Sequence, residues 1–295
     1  MDEITKIETI DQYDQLFGLE TLHPLVNVID FSKATKTVEY YHMNIGFYSL
    51  FLKDINCGRN YYDYQEGTVV CMAPGQVIGI DNRKKTPQRT KSIGVLFHPD
   101  LIRGTSLGQN IKNYSFFSYE VNEALHLSEQ EKEIVTDCIH KIQIELEHAI
   151  DKHSKQLIVR NIELLLDYCM RFYERQFITR NQVNKDIIVR FEHLLDEYFQ
   201  GQVALTEGLP SVKYFADKVC LSPNYFGDLI KKETGKTAQE YIQCRIIELA
   251  KERILEGSQT VSQIAYELGF QYPQHFSRLF KKHVGYTPNE YKQQN

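Results

Sequence analysis

PNYFGDLIKKETGKTAQEY at residues 223–241 and PQHFSRLFKKHVGYTPNEY at residues 273–291 are two versions of one stretch, fifty residues apart. Identities fall at Pro223/Pro273, Phe226/Phe276, Leu229/Leu279, Lys231/Lys281, Lys232/Lys282, Gly235/Gly285, Thr237/Thr287, Glu240/Glu290 and Tyr241/Tyr291. Upstream the register slips by one, so that Val212 and Ala216 match Val261 and Ala265 at an offset of forty-nine. A one-residue slip between matched blocks belongs in a turn, and a repeat of this period is one supersecondary unit used twice.

Each copy reads as helix, tight turn, helix. In the first, at about 211–235, Ser211 caps a short helix whose apolar face is Val212, Phe215, Ala216 and Val219. Cys220 and Leu221 make the turn, Ser222 supplies an N-cap oxygen and Pro223 takes the first helical position, where a missing N–H is harmless. The second helix is expected to bury Phe226, Leu229 and Ile230, to present Asn224, Tyr225, Gly227, Asp228, Lys231 and Lys232 outward, and to stop at Gly235. The second copy, at about 260–285, opens on a Thr260–Gln263 capping box, places Ile264, Ala265 and Leu268 on its apolar face, turns at Gly269, and buries Phe276, Leu279 and Phe280 before Gly285. Cys220 stands where the second copy has glycine, a substitution that strains a turn needing positive φ. A small residue where two short helices cross, followed by a tight turn, is the geometry of a helix-turn-helix whose second helix enters the major groove of DNA.

Between the copies, Thr237 and Glu240 form a capping box for a helix at 238–256, which runs without Pro or Gly until Gly257. Its apolar stripe is Ile242, Ile246, Leu249, Ala250 and Ile254. At 1.5 Å per residue the helix is roughly 28 Å long, close to the ~34 Å between successive major grooves on one face of B-DNA. That match predicts one subunit that docks in two consecutive grooves.

The tail from about residue 188 to 295 resembles the DNA-binding domain of the AraC/XylS family of bacterial transcription regulators. The resemblance is carried by FADKVCLSPNYFGDLIKKETGKTAQEYIQCRI, ELAKERIL and TVSQIAYELGFQYPQHFSRLFKKHVGYTPNEY. It implies base-reading positions at Asn224, Gly227 and Asp228 on the first recognition helix and at Pro273, Gln274 and Arg278 on the second. Chemistry favours some of these. Arg278 can donate twice to guanine O6 and N7, Gln274 can pair bidentately with adenine, and Asp228 can only accept, for instance from cytosine N4. Gly227 and Pro273 have no side-chain hydrogen bond to give. His275 and Ser277 are the neighbouring candidates. Lys231, Lys232, Lys281 and Lys282 are placed to meet phosphate, unless they are ordinary solvated pairs. Arg245, on the joining helix, reads equally as a phosphate clamp or as an internal salt-bridge partner.

Charge supports the same division of labour. Residues 208–295 hold twelve Lys and Arg against nine Asp and Glu, whereas residues 1–207 hold twenty-two against thirty, within a chain of net charge −5. The acidic front half opposes non-specific adhesion to DNA, so specificity leans on base contacts and paired subunits.

The remaining sequence is a second unit, as expected for 295 residues of which 42% are hydrophobic. MDEITKIETIDQYDQ has neither a basic n-region nor an apolar core, and no apolar run reaches membrane-spanning length, so a cytoplasmic protein is expected. Cys57, Cys71, Cys138, Cys169, Cys220 and Cys244 lack metal-finger spacing and read as reduced, mostly buried thiols. Strands are expected at 26–31, 38–53 around Gly46, 61–72 with a Glu66–Gly67 turn, 77–80 and 92–97, which is a small sandwich or barrel over about 22–100. EGTVVCMAPGQ resembles the cupin-like barrel that precedes the DNA-binding domain in many family members, where it usually holds the effector. An iron-dependent cupin enzyme would need two His and one carboxylate; His23, His42 and His98 include no His-x-His pair, and His42 reads as structural.

A capping box at Ser128 and Glu131 opens a helix with the stripe Ile134, Val135, Cys138, Ile142, Leu146 and Ile150. A second, from about 154 to 176, carries Leu157, Ile158, Ile162, Leu165, Cys169, Phe172 and Tyr173, and the two form an antiparallel hairpin. In the family such helices often form the dimer interface; alternatively their apolar faces cover the barrel. ITRNQVNK at 178–185 reads as the interdomain linker, after which Asn184 caps the first helix of the tail.

The expectation is an α+β multidomain chain. Residues 1–177 form an effector-binding and dimerisation domain, a β-rich cupin-like barrel with a helical hairpin at about 128–177. Residues 186–295 form an all-α DNA-binding domain, two helix-turn-helix units joined by a long helix. The resemblance implies a homodimeric, non-enzymatic regulator of transcription, an activator, whose partners are promoter DNA, RNA polymerase and a small-molecule effector, with no cofactor, metal or membrane. The alternatives are a ligand-independent regulator controlled by abundance or a protein partner, and a cupin-type metalloenzyme with a DNA-binding tail.

Overall fold

The computed structural model describes residues 4–36, 40–53, 67–81, 92–149 and 151–294. The chain divides into two units, Met1–Thr179 and Arg180–Asn295. In the first, β1 (Ile4–Ile7) leads into α1 (Ile10–Phe17), which opens on a Thr9–Gln12 capping box and ends at Gly18 with φ 64°. β2 (Val26–Asp30), β3 (Tyr40–Ile45), β4 (Tyr48–Lys53), β5 (Gly67–Met72), β6 (Val77–Asp81) and β7 (Ser92–Phe97) follow. Short helices α2 (Pro99–Ile102) and α3 (Ser106–Asn110) precede β8 (Leu125–Leu127) and the long α4 (Glu129–Glu147) and α5 (Ser154–Thr179). Residues 38–39, 61–66 and 150, which carried parts of the expected strands and stripe, lie outside the described residues, as does Cys57.

The strands fall into a three-stranded sheet, β1-β3-β6, and a five-stranded antiparallel sheet, β2-β7-β4-β5-β8. Alternation along β4 decides which face each side chain joins. Phe51 enters a cluster with Ile7, Ile10, Tyr13, Phe17, Ile29, Met43, Ile45, Phe47 and Leu96, which draws on both sheets and on α1. Each such ring or branched chain contributes roughly 2–3 kcal/mol by leaving water. Leu50 and Leu52 point to the opposite face and are just as buried.

That opposite face is covered by the α4–α5 hairpin. Ser128 and Glu131 form the expected capping box, and Val135, Cys138, Ile142, Leu146, Ile158, Ile162, Leu165, Cys169, Phe172 and Tyr173 are buried. Arg175 donates to Glu131 at 2.7 Å and to the His126 carbonyl at 2.6 Å, while Gln176 accepts from the His126 N–H at 2.8 Å, tying α5 to β8. The apolar faces of the hairpin are thus consumed by the sheet. Leu157, expected in the stripe, is instead exposed, together with Ile144 and Leu164. Burial pushes the Cys71 and Cys169 thiols up, which leaves them protonated and unreactive.

The expected linker at 178–185 is helical. Ile178 and Thr179 end α5, and α6 (Asn181–Gln200) begins one residue after Arg180. ITRNQVNK is polar but holds no Gly or Pro, and the helical backbone is interrupted in it only at Arg180, the boundary of the two units. Asn184 is therefore not a cap. It is buried inside α6 with its Nδ2 donating to Glu233 at 3.3 Å.

The rest of the second unit is α7 (Val203–Glu207), α8 (Val212–Lys218), α9 (Pro223–Thr234), α10 (Ala238–Glu256), α11 (Val261–Glu267), α12 (Pro273–Val284) and α13 (Pro288–Gln294). Phe191 of α6 is fully buried and meets Phe215, Phe226 and Tyr241 at ring separations of 5.1, 5.1 and 5.5 Å. No helix among the described residues is long and apolar enough to cross a membrane.

Candidate nucleic-acid interface

α8–α9 and α11–α12 are the two expected helix pairs. Ser211 accepts from the Tyr214 N–H at 3.1 Å to start α8, and the Thr260–Gln263 capping box starts α11. Ala216 and Ala265 are fully buried at the crossings. In each turn a backbone N–H returns to that alanine's carbonyl, Leu221 to Ala216 at 3.0 Å and Phe270 to Ala265 at 2.9 Å. The offset there is still forty-nine, and at Pro223/Pro273 it is fifty, so the slip lies immediately before the recognition helices.

The extra residue changes how the second recognition helix begins. In the first copy Ser222 accepts from the Tyr225 N–H at 3.2 Å, a normal N-cap. In the second, Gln271 and Tyr272 occupy the stretch that holds Ser222 alone, and Tyr272 caps without a side-chain hydrogen bond. Its exposed ring stands edge-on to His275, 5.4 Å between centroids.

On α12, Gln274, His275, Arg278, Lys281 and Lys282 are exposed. Spaced i, i+1, i+4, i+7 and i+8, they share one face, and Phe276 and Phe280 are fully buried opposite. Leu279 is only partly buried. Ser277 is half-buried, with its hydroxyl donating to the Pro273 carbonyl at 3.1 Å, so that donor is spent within the helix. On α9, Asn224, Lys231 and Lys232 are exposed, with Gly227 and Asp228 half-buried on the same face. Tyr225, expected outward, is buried. α9 packs against α6, α8 and α10, and that third neighbour widens its buried arc beyond the simple helical stripe.

Arg245 is resolved as a salt-bridge partner. Its Nη2 and Nε lie 2.7 and 2.8 Å from one carboxylate oxygen of Asp196, which joins α10 to α6. Tyr241 donates to Glu192 across the same pair of helices. The lysines of the recognition helices have acidic neighbours as well. The Thr237 N–H, and then its hydroxyl, hold the Glu240 carboxyl below its usual range, with Lys282 and Lys231 adding to the effect. Glu290 is held down in the same way by Thr287, with help from Lys281. Lys231 and Lys281 thus repeat, at an offset of fifty, a place beside the capping carboxylate of the helix that follows.

The three histidines considered for a cupin-type site, His23, His42 and His98, lie apart along the N-terminal unit. His23 Nδ1 accepts from the Leu25 N–H at 3.1 Å, His98 Nδ1 accepts from the Asp100 N–H at 3.2 Å, and His42 lies in β3 of the smaller sheet. Among the described residues no three His, Cys, Asp or Glu side chains are grouped to hold a metal ion.

The sequence family described as "Helix-turn-helix domain" matches residues 215–294. The Transposon Tn10 TetD protein of Escherichia coli is 33% identical over 144 residues, 48% of this chain and 91% of that protein. YesN of Bacillus subtilis, an uncharacterized transcriptional regulatory protein, is 38% identical over 85 residues, 28% of this chain and 23% of that one. The HTH-type transcriptional activator RhaS of Escherichia fergusonii is 28% identical over 138 residues, 46% of each chain. The chain thus spans well under two thirds of YesN and of RhaS. Paired helix-turn-helix units, the family match over them and relatives that are transcription regulators give one conclusion: the chain belongs to the AraC/XylS family of transcription regulators.

Proposed function

We propose that this protein is a sequence-specific, promoter-binding transcription activator that works in the cytoplasm, reads two successive major grooves with one subunit, and acts as a homodimer. The carrying observation is the exposed polar face on each of α9 and α12, two helices that both pack against the nineteen-residue α10. That rod is roughly 28 Å long against the ~34 Å groove repeat. Gln274 and Arg278 carry base recognition on α12, with His275 beside them and Ser277 a lesser contributor. Asn224 and Asp228 carry it on α9, and Lys231, Lys232, Lys281 and Lys282 meet phosphate. The relative named an activator supports the reading of activation, and RNA polymerase is the partner that an activator requires.

The N-terminal two-sheet unit is the cupin-like module that takes a small-molecule effector, and the exposed Leu157 and Leu164, seven residues apart on α5, serve subunit pairing. An effector shifts DNA occupancy only if it binds the two arrangements of the protein with different affinity. The second reading, a ligand-independent regulator controlled by abundance or a protein partner, is separated by thermal melting against a metabolite panel, since a ligand of the native state raises Tm by mass action. The central test is enrichment of a duplex from a randomised pool by the full chain, followed by footprinting. Protection of two consecutive grooves per subunit is expected; protection of one groove per subunit overturns the two-headed reading.

A further inference from the structure

We propose that Gly227 is a positioning residue for DNA: it lets the backbone of α9 approach the duplex more closely than any side chain would allow. The inference rests on α9 entering the major groove. Gly227 is the fifth residue of a twelve-residue helix, well away from either cap. Glycine inside a helix is destabilising relative to alanine, because it leaves the unfolded chain more freedom. A glycine kept there usually serves positive φ or a crowded packing site. Gly227 has neither. It is absent from the positive-φ glycines of the chain, and a Cβ built on it meets no atom within 4 Å.

Neither backbone conformation nor packing against the rest of the chain therefore requires a glycine at this position. Gly227 lies three residues after Asn224, one before Asp228 and four before Lys231, in the middle of the polar face. What remains to require the missing Cβ is a surface outside the protein that comes nearer than a methyl group permits. At the matching place in α12 stands Ser277, another small residue, whose hydroxyl is folded back onto the Pro273 carbonyl. Both recognition helices so present a flat, donor-free centre between flanking polar side chains. For α9 the chemistry is close apolar contact with the groove, without a hydrogen bond from this position.

The test uses the full chain and a duplex enriched by it from a randomised pool. Gly227→Ala is expected to melt at or above the wild-type Tm, by up to roughly 6 °C. It is also expected to bind the enriched duplex at least fivefold more weakly, with random-sequence duplex affected less than twofold. Gly227→Leu sharpens this, retaining the fold and losing at least fiftyfold. Binding of the enriched duplex by Gly227→Ala within fivefold of wild type overturns the role. So does a lowered Tm, which would give the glycine a structural purpose. Arg278→Ala is run alongside. If it loses base preference while Gly227→Ala does not, groove reading stands and this role falls; if no duplex is enriched at all, both fall.

Discussion

The two helix-turn-helix copies share an interior and part company wherever a different neighbour touches them. Phe226 and Phe276, Ala216 and Ala265 are fully buried in both, and Gly235 and Gly285 end the recognition helices with φ of 74° and 88°. The turns differ. Gly269 has φ 88°, and a Cβ there would lie 2.6 Å from the carbonyl carbon and oxygen of Gly208 and 3.0 Å from the Ala204 carbonyl. Cys220 adopts φ 61°, the one positive-φ residue other than glycine among those described, and it is exposed. Backbone presses on the second turn and leaves the first open, so a side chain is tolerated in one and excluded from the other. A duplicated unit keeps what its own core demands and drifts where its surroundings are not duplicated.

The sharpest way to break that comparison is Gly269→Ala, which combines left-handed strain with backbone overlap and is expected to cost on the order of 3 kcal/mol. Gly235→Ala, with open space around the new Cβ, should cost only about 1 kcal/mol. Denaturant midpoints compare the two, and equal losses would remove the crowding argument. Next comes the difference between the polar faces. Arg278→Ala should weaken specific binding by about 1–3 kcal/mol and relax preference at one base position, measured by repeating the enrichment; an equal loss on random DNA would make Arg278 a phosphate contact. Asn224→Ala should lose less, since an asparagine carries no charge to add to its contact.

A smaller effect is expected at the joint between α6 and α10. Arg245 and Asp196 retain side-chain exposures of 34% and 42%, so a double-mutant cycle should give a coupling of only about 0.5–1 kcal/mol. The salt dependence of DNA binding should not change in Arg245→Ala; a shallower slope would return Arg245 to the phosphate contacts. Smallest of all is Cys220→Gly. Relief of left-handed strain, about 1 kcal/mol, is nearly offset by the added freedom of the unfolded chain, which leaves a stability change of about 0.5 kcal/mol or less.

What could be read in the sequence was local. The capping boxes at Ser128–Glu131, Thr237–Glu240 and Thr260–Gln263 all form as spaced, because the interaction needs only residues three apart. The repeat was legible for the same reason, and the register slip lies in the turn that its position implied. The Thr9–Gln12 box carries an equal signal for α1, with Ile10, Tyr13 and Phe17 on its buried face, but it is set inside an acidic stretch. Contacts between distant elements were not legible. Arg245 and Asp196 are forty-nine residues apart, and nothing in either's neighbourhood selects the salt bridge over a phosphate. The burial of Tyr225 was not legible either, because α9 packs against α6 and α10 as well as against its helix-turn-helix partner α8. The boundary between the two units, Thr179/Arg180, falls inside the polar run at 178–185, but the run is helical on both sides of Arg180 because it holds no Gly or Pro.

Phe191 has a practical corollary. The helix-turn-helix match starts at Phe215, but the ring of Phe191 plugs a socket lined by residues of three later helices. Trimming the protein to the matched span would uncork that socket and expose aromatic surface that in the intact chain never meets solvent. An excised reader that stays monomeric and folded must therefore carry α6 with it, and the smallest autonomous piece is longer at its front than the repeat alone would indicate.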